Sequence, residues 1–310
     1  MEVNWRLARR QKALWKRAAI VQAVRTFFVG RGYLEVETPQ RIPAPAPESH
    51  IDAMPADGWF LQTSPELCMK RLLAAGYERL FQICHCWRGG ERGSQHVPEF
   101  TILEWYRGGA DYRGLMDECE ALLPYVAHAI GLPDQFSYRG RPVDLATPWE
   151  RISVREAFSR YAHASPEEAL ERGAFDALMV SDVEPRLGAG RPTFLYDYPA
   201  QRGALARLRA DDPGVAERFE LYAAGLELAN AFSELVDAEE QRARFTQEET
   251  YRRSLGKHPY PMADEFLREL PNMPPAAGIA LGVDRLVMLL TDAATIDEVV
   301  AFTPEDLGVA

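Results

Sequence analysis

The sequence contains few cysteines, no long apolar run and no excess of positive charge. Four cysteines among 310 residues are too few for a disulfide framework, which is typical of proteins kept in a reducing cytoplasm. No run of about eighteen apolar residues occurs, so no membrane span is predicted. The formal net charge of −11 argues against a dominant nucleic-acid-binding surface, although it leaves room for a local basic patch. We therefore expect a cytoplasmic globular protein.

Common phosphate loops and metal motifs are also absent. Neither G-x-G-x-x-G nor G-x-x-x-x-G-K-[ST] occurs in the sequence. The tripeptide Cys84-His85-Cys86 places two cysteines on one strand face, but no second pair completes a zinc site. We expect these cysteines to be buried rather than bound to a metal.

The spacing of apolar residues predicts an α+β protein. Helices are predicted at residues 11–28, 66–75, 111–130 and 241–255, and strands at 33–39, 50–54, 59–63, 79–87, 99–106, 193–198, 216–222 and 226–235. Because the strands are paired through hairpins rather than linked by helices, they are expected to form an antiparallel sheet with helices at its ends. The glycine-rich, charged residues 88–98 are predicted to form a loop that can fold over a ligand.

Residues 278–289 combine a strand of small residues with an apolar helix. Gly278, Ala280 and Gly282 lie two residues apart, so they share one strand face against which a flat ligand can lie. Arg285 falls in the first helical turn, where free N–H groups and a guanidinium suit an anion such as a nucleotide phosphate. The alternative is an ordinary buried strand and helix with one ion-paired arginine.

Two other segments carry side chains suited to a ligand. After the charged loop, Phe100, Glu104 and Tyr106 share a strand face with Ile102, and this combination suits a purine or an amine. The alternative is an exposed strand face. Residues 63–66 (Thr-Ser-Pro-Glu) are typical of a helix start, for which simple capping is the alternative explanation.

The segment 220–234 is dense in acidic residues. Glu220, Glu227 and Glu234 repel one another unless cations bind them, and carboxylates are preferred ligands of Mg²⁺. Asn230 and Phe232 share the strand face of Glu234, which can hold a substrate ammonium. The alternative is an exposed acidic strand.

In this order, the segments resemble the three motifs of class II aminoacyl-tRNA synthetases, and most closely the catalytic domain of the lysyl-tRNA synthetases. Residues 33–39 resemble motif 1, residues 88–106 motif 2, residues 278–285 motif 3, and residues 227–235 (Glu-Leu-Ala-Asn-Ala-Phe-Ser-Glu-Leu) the lysine-specific signature. The resemblance covers residues 16–302 and implies one catalytic domain over residues 1–310, with an antiparallel sheet flanked by helices. It also implies a homodimer, because the motif 1 proline lies at the subunit interface in that family.

The resemblance further implies an ATP-dependent ligase that forms an aminoacyl adenylate, with Arg88 and Arg285 as catalytic residues. Arg88 is expected to bridge the substrate carboxylate and the α-phosphate, while Phe100 and Arg285 hold the adenine ring between them. The implied ATP-binding residues are Arg88, Glu91, His96, Phe100, Glu227, Leu228, Gly282 and Arg285. The implied amino-acid-binding residues are Ser64, Pro65, Glu66, Glu104, Tyr106, Asn230, Phe232, Glu234 and Ala280. Glu220 and Glu227 are expected to bind Mg²⁺.

Lysyl-tRNA synthetases carry an N-terminal anticodon-binding domain that this sequence does not resemble. In this respect the chain looks like the paralogues that activate (R)-β-lysine and transfer it to a lysine of elongation factor P. Elongation factor P is therefore the expected acceptor, and no stable tRNA binding is expected. Ala280 and Ser64 also resemble the paralogues, whereas the tRNA enzymes typically have glycine and alanine. A methyl group at position 280 is expected to disfavour an α-amino group, by about 1–3 kcal/mol.

Two positions depart from motif 2 of the family. Gly90 replaces a glutamate that contacts adenine, and Val97 replaces an ATP-contacting asparagine. Glu91 is expected to substitute if the glycines let the loop shift. Two alternatives therefore stay open: an enzyme that charges tRNA or another carrier with α-lysine, and a catalytically weakened paralogue that only binds lysine and ATP. Residues 132–190 carry no motif that assigns them a function.

Overall fold

The computed structural model describes residues 4–308, apart from the side chain of Arg6. The α-helices are α1 (Trp5–Ala8), α2 (Gln11–Gly30), α3 (Glu66–Ala74), α4 (Tyr112–Ala129), α5 (Val154–Ala157), α6 (Pro166–Glu171), α7 (Phe175–Leu178), α8 (Ala238–Ser254), α9 (Asp264–Glu269) and α10 (Val283–Thr291). The strands are β1 (Leu34–Glu35), β2 (Arg41–Ile42), β3 (Pro55–Ala56), β4 (Trp59–Leu61), β5 (Arg79–Trp87), β6 (Glu99–Gly108), β7 (Gln135–Tyr138), β8 (Arg141–Asp144), β9 (Glu150–Ser153), β10 (Thr193–Pro199), β11 (Val215–Ala223), β12 (Leu226–Ser233) and β13 (Ala276–Gly282). None of these helices is long and apolar enough to cross a membrane.

The described chain contains one eight-stranded sheet, in the order β1-β5-β6-β13-β12-β11-β10-β9. From β5 to β10 every neighbouring pair is antiparallel. The two edge strands, β1 and β9, instead run parallel to their neighbours. A parallel pair needs a long crossover connection, and residues 36–78 provide one between β1 and β5. The predicted α+β fold with an antiparallel sheet is confirmed, with these two parallel edges added.

The two faces of the sheet are covered differently. Helices α2, α4 and α10 pack against one face, where residues such as Phe28, Leu115 and Leu286 form the main core. The other face is covered at one end by α3, α8 and α9, through a second cluster that includes Leu73 and Phe266. A third cluster, which includes Leu195 and Tyr222, covers the other end of this face, and the part between the two clusters is available for a site.

Two predicted strands are wrong in extent. The strand predicted at 33–39 is ordered as a strand only at β1, because the Thr38 N–H donates to the side chain of Gln82 (3.2 Å) and leaves the backbone ladder. The strand predicted at 50–54 is replaced by the two-residue β3, which begins at Pro55. Within 50–54, Ile51 and Asp52 instead accept hydrogen bonds from Arg252, and the backbone oxygen of Asp52 also accepts from the Gly89 N–H of the motif 2 loop.

The middle segment, 132–190, adds a hairpin (β7 and β8), the edge strand β9 and the short helices α5 to α7. Its helices form a separate apolar cluster in which Phe158 stacks on Phe175 with ring centroids 4.9 Å apart. At its end, the helical turn Glu184–Arg186 brings Glu184 to the open face of the sheet. The segment without a sequence motif therefore contributes an acid to the site.

Candidate active site

The open face of the sheet carries a row of side chains that crosses five strands. Gln82 on β5 pairs with Glu104 on β6, Glu104 with Ala280 on β13, Ala280 with Asn230 on β12, and Asn230 with Glu220 on β11. Residues directly opposite each other in an antiparallel sheet point to the same face. Four residues predicted to bind substrate or metal therefore lie side by side.

A second row lies two residues further along these strands. Leu80, Tyr106, Gly278, Phe232 and Arg218 pair in sequence from β5 to β11. The row places the predicted substrate residues on β6 and β12 beside those of the first row. Alternation along the strands was visible in the sequence, whereas the pairing between strands required the sheet topology.

A β-bulge between β11 and β12 directs Glu227 toward the site. Tyr222 pairs with Glu227 and Leu221 with Ala229, so Leu228 is an extra residue in the ladder. Glu227 thereby joins the site face, whereas the side chain of Leu228 is buried in the main core. The side chain of Leu228 therefore cannot make the predicted contact with ATP, and only its backbone groups are available for it.

Glu104 lies at the centre of the site and is 1% exposed. Its carboxyl group accepts hydrogen bonds from the hydroxyl groups of Ser64 (2.5 Å) and Tyr106 (2.8 Å). Burial, together with the nearby Glu66 carboxylate, raises the pKa of Glu104 to about 7. The Ser64 hydroxyl also accepts from the Glu66 N–H (3.0 Å), and the buried Pro65 directly precedes α3. Helix capping and substrate binding, which the sequence offered as alternatives, therefore coincide here.

Lys70, which sequence reasoning missed, occupies the predicted lysine pocket. Its ammonium nitrogen lies 2.5 Å from Glu66 and 2.5 Å from Glu234, and 4.9 Å from the centre of the Phe232 ring. Burial alone would lower its pKa, but the two carboxylates raise it. Its spacing of four residues from Glu66 on α3 was the one available signal.

Glu234 is fully buried, and neither of its carboxylate oxygens has a hydrogen-bond partner in the described part of the chain. Its contact with Lys70 is an ion pair without hydrogen-bond geometry. Burial raises the pKa of Glu234 to about 8, even with this ammonium beside it. A carboxylate has about four lone-pair sites, so Glu234 can pair with a substrate ammonium in addition to Lys70.

The flat ligand-binding surface predicted at Gly278, Ala280 and Gly282 is only partly present. A side chain at Gly278 would overlap the ring of Tyr106 and a carboxylate oxygen of Glu234, so protein groups already fill that position. Gly282 is partly exposed and precedes α10, and a Cβ added there would meet only Arg285 side-chain atoms, at an ordinary contact distance of 3.8 Å. Ala280, between them, is partly exposed and paired with Glu104 and Asn230.

Arg285 connects motif 3 with the acidic strand and with the charged loop. Its guanidinium donates to the backbone oxygen (2.9 Å) and carboxylate (3.2 Å) of Glu227, and contacts His96 Nε2 at 2.6 Å. Burial and the Arg285 charge lower the pKa of His96, so its Nε2 is the acceptor. The predicted proximity of Arg285, Glu227 and His96 is therefore present in the structure.

Asp284 fixes the direction of its neighbour Arg285. This carboxylate is 2% exposed, accepts from the Thr101 N–H on β6 (2.7 Å) and forms an ion pair with Arg17 on α2. The start of α10 is thus attached to both the sheet and the first long helix. Sequence reasoning assigned no role to Asp284.

Three acids converge at the other end of the site. Burial, together with Glu220 and Glu227, raises the pKa of Glu184 to about 7. Glu220 accepts from Arg218 (2.6 Å) and from the Tyr222 hydroxyl (2.7 Å). Glu234, which was expected to bind the amino acid rather than the metal, lies apart from these three acids, in the pocket around Lys70.

No group of three or more His, Cys, Asp or Glu side chains within residues 4–308 is arranged to hold a metal ion by itself. Mg²⁺ commonly takes only one or two protein carboxylates and completes its coordination with waters and substrate phosphates. The crowded carboxylates of Glu220 and Glu227 fit that donor set, because a cation between them would relieve their repulsion.

Motif 2 places Arg88 and Phe100 at the two ends of its loop. The Arg88 guanidinium lies 5.0 Å from the centre of the Phe100 ring, and its Nε is buried without a hydrogen-bond partner among the described residues. Gly90 has a φ of +75°, a conformation that glycine adopts readily. Glu91 acts electrostatically on His96, and Val97 is buried in the main core. The apolar residue at position 97 therefore has a packing role.

Comparison with known proteins agrees with this geometry. Residues 2–306 match the family described as tRNA synthetases class II (D, K and N). The chain is 39% identical to an elongation factor P--(R)-beta-lysine ligase of Pectobacterium atrosepticum, over 97% of this chain and 98% of the relative. It is 40% identical to a ligase of the same name from Salmonella gallinarum, over 94% of each chain. It is also 38% identical to a lysine--tRNA ligase of Magnetococcus marinus, over 92% of this chain but 62% of the relative. The two rows of site residues and the matched length together show that this chain belongs to the class II tRNA synthetases of the D, K and N group.

Proposed function

We propose that the protein is an ATP-dependent ligase that activates (R)-β-lysine as its adenylate and transfers it to a lysine side chain of elongation factor P. The observation that carries this proposal is the charge count of the buried pocket. Glu66, Glu104 and Glu234 supply three carboxyl groups, and Lys70 supplies one ammonium. With all three acids ionised, the pocket carries two uncompensated negative charges, which match the two ammonium groups of a lysine.

The charge count does not distinguish α-lysine from β-lysine. Two observations favour the β-isomer: the methyl group of Ala280 on the pocket floor, and the similarity of the chain to relatives named as (R)-β-lysine ligases along nearly their whole length. Ser64 is the other position at which the chain resembles the paralogues that activate (R)-β-lysine. Its hydroxyl holds Glu104 and the start of α3 in one orientation.

In the first step, the substrate carboxylate attacks the α-phosphorus of ATP and pyrophosphate leaves. Arg88 would neutralise the carboxylate and the α-phosphate as they approach. Phe100 and Arg285 would hold the adenine, with His96 beside the phosphates. Glu220 and Glu227 would hold Mg²⁺, which supplies charge neutralisation on the phosphate oxygens. Catalysis here is positioning and electrostatic stabilisation rather than covalent chemistry by the protein.

We further propose that the protein acts as a homodimer. Val29, Leu34 and Trp15 are exposed apolar residues on α2 and β1, and β1 leaves one edge of the sheet unpaired. Exposed apolar surface beside an open strand edge is typical of a subunit interface. Sedimentation analysis should give twice the mass of the chain.

The second candidate function is charging of tRNA with α-lysine, which the lysine--tRNA ligase relative favours. ATP–pyrophosphate exchange with α-lysine and with (R)-β-lysine, followed by transfer to elongation factor P and to tRNA, separates the candidates. We expect exchange with (R)-β-lysine and transfer to the factor. Transfer to tRNA alone would support the second candidate, and no exchange with either amino acid would leave only a binding protein.

A further inference from the structure

Glu48 lies at the edge of the site and has no role in the chemistry described above. It belongs to the segment between β2 and β3. The buried Arg252 donates to the backbone oxygens of Glu48 (2.7 Å) and Ile51 (2.8 Å). The Gly89 N–H donates to the backbone oxygen of Asp52 (2.6 Å). The segment is therefore attached both to α8 and to the residue that follows Arg88.

Glu48 is half-buried as a residue, and its carboxyl group makes no hydrogen bond or ion pair within residues 4–308. Two guanidinium groups, those of Arg88 and Arg218, and two carboxyl groups, those of Glu66 and Glu248, act on it electrostatically. Burial raises the pKa of Glu48 to about 7. Glu248 is itself held by the Ser49 N–H (3.1 Å). Glu48 is thus a carboxyl group without a partner, placed beside the arginine that receives the substrate carboxylate.

The transfer step needs a base that adenylation does not need. A lysine ammonium has a pKa of about 10.4, so the acceptor is almost entirely protonated at neutral pH and cannot attack. A carboxylate with a pKa near the working pH is well suited to remove that proton.

Other acid–base groups of the site are already engaged. His96 Nε2 accepts from Arg285, and Glu104 and Glu234 face the buried amine pocket. Glu184 lies among the proposed metal ligands.

We propose that Glu48 is the general base that deprotonates the acceptor amine in the transfer half-reaction; this rests on the proposed function. The Glu48 carboxylate takes one proton from the acceptor ammonium. The nitrogen lone pair attacks the carbonyl carbon of the adenylate, forming the C–N bond. The bond between that carbon and the phosphate oxygen then breaks, and AMP leaves with the electron pair. The second proton of the nitrogen is lost to solvent or to the departing phosphate.

The test is Glu48→Gln, measured separately in the two half-reactions. ATP–pyrophosphate exchange needs no acceptor and should be unchanged in rate and in the KM for (R)-β-lysine. Single-turnover transfer from the preformed adenylate to elongation factor P should slow by about 10²–10⁴-fold and lose its rise with pH near 7. Asp57→Asn, at an exposed turn of the neighbouring hairpin, is the charge-matched control and should leave both steps unchanged.

Hydroxylamine as acceptor separates a base from a structural residue. Because hydroxylamine is already neutral at neutral pH, it should discharge the adenylate equally fast from the wild type and from E48Q. Equal slowing with both acceptors, unaltered transfer to elongation factor P, or an increased KM for (R)-β-lysine would each overturn the proposal. If E48Q does not fold, the pH–rate profiles of the wild-type protein decide. The rate of transfer to elongation factor P must then rise through pH 7, while the rate of discharge by hydroxylamine must not. Absence of exchange in the wild type would instead reject the proposed function.

Discussion

The two ends of the site handle charge in different ways. At the amine end, Glu104 and Glu234 are buried, Glu66 is half-buried, and the three acids lie around a single internal cation, Lys70. At the nucleotide end, the acid Glu227 is more exposed, with 41% of its side chain accessible, and it is paired with Arg285. Burial makes a missing charge costly, whereas exposure lets solvent and ions compensate. The amine end is therefore suited to selecting a ligand by its charge, and the nucleotide end to holding phosphates and a metal ion.

The largest expected effect comes from removing the cation of the nucleotide end. Arg285→Ala removes the group that contacts Glu227 and His96, and we expect exchange to fall by roughly 10²–10³-fold because a preorganised charge is lost. Circular dichroism and thermal unfolding should stay near wild type, since the guanidinium is partly exposed. Arg242→Ala, which breaks an exposed ion pair with Asp264, is the control. Near-normal exchange in R285A would place the nucleotide elsewhere.

The amine end is tested by Glu234→Gln. Loss of this buried negative charge leaves Lys70 less compensated and removes the carboxylate that would pair with a substrate ammonium, so the KM for the amino acid should rise about 100-fold, while the KM for ATP should not change. Glu118→Gln removes a structural acid on the opposite face of the sheet, where it accepts from Tyr33 and Trp105. That control can lower the melting temperature but should leave the KM for the amino acid unaltered. Equal effects on both KM values in E234Q would show that the two ends do not act separately.

The pH dependence of the wild-type protein tests the buried acids of the amine end. Burial raises the pKa of Glu104 to about 7 and that of Glu234 to about 8 in the folded protein, above the ordinary value for a glutamate. Because the folded chain holds these protons more tightly than the unfolded chain, the free energy of unfolding without ligand should fall as pH rises from about 4.5 to about 8. Binding of an amino acid with two ammonium groups has the opposite pH dependence. Its affinity should rise with pH, because binding requires these carboxyl groups to be ionised.

The KM for the amino acid should therefore fall by about tenfold between pH 6 and pH 8. Steady-state exchange at a series of pH values and melting curves of the ligand-free protein measure the two slopes. A KM that rises over this range would show that the pocket binds its ligand with the acids protonated.

The smallest effect is expected at Ala280, on the central strand β13 between the two ends of the site. Ala280→Gly removes one methyl group beside Glu104 and Asn230, and should shift the preference between α-lysine and (R)-β-lysine toward α-lysine by about tenfold. The measurement is the ratio of kcat/KM values in exchange. An unchanged ratio would remove Ala280 from the argument for the β-isomer.

Much of the architecture could be predicted from the sequence. The helices α2, α3, α4 and α8 and the hairpin of β5 and β6 follow the predicted spacing closely, because long amphipathic segments carry a strong periodic signal. The class II synthetase resemblance and the ligase class that it implies are confirmed by the family match and the relatives. The strand at 33–39 was predicted too long, since a side-chain amide replaces the backbone ladder there.

What the sequence determined by itself is local: which residues alternate on a strand, where α3 and α10 begin, and the order of the motifs. The tertiary structure alone decided which side chains meet across strands. Lys70 enters the amine pocket because α3 lies over β6 and β12, and Glu184 reaches Glu220 because the middle segment packs beside β10. Glu227 faces the site because of a bulge that no periodic pattern shows. Hydrophobic periodicity is a short-range property. The ion pair between Lys70 and Glu234, in contrast, joins residues more than 150 positions apart in the sequence.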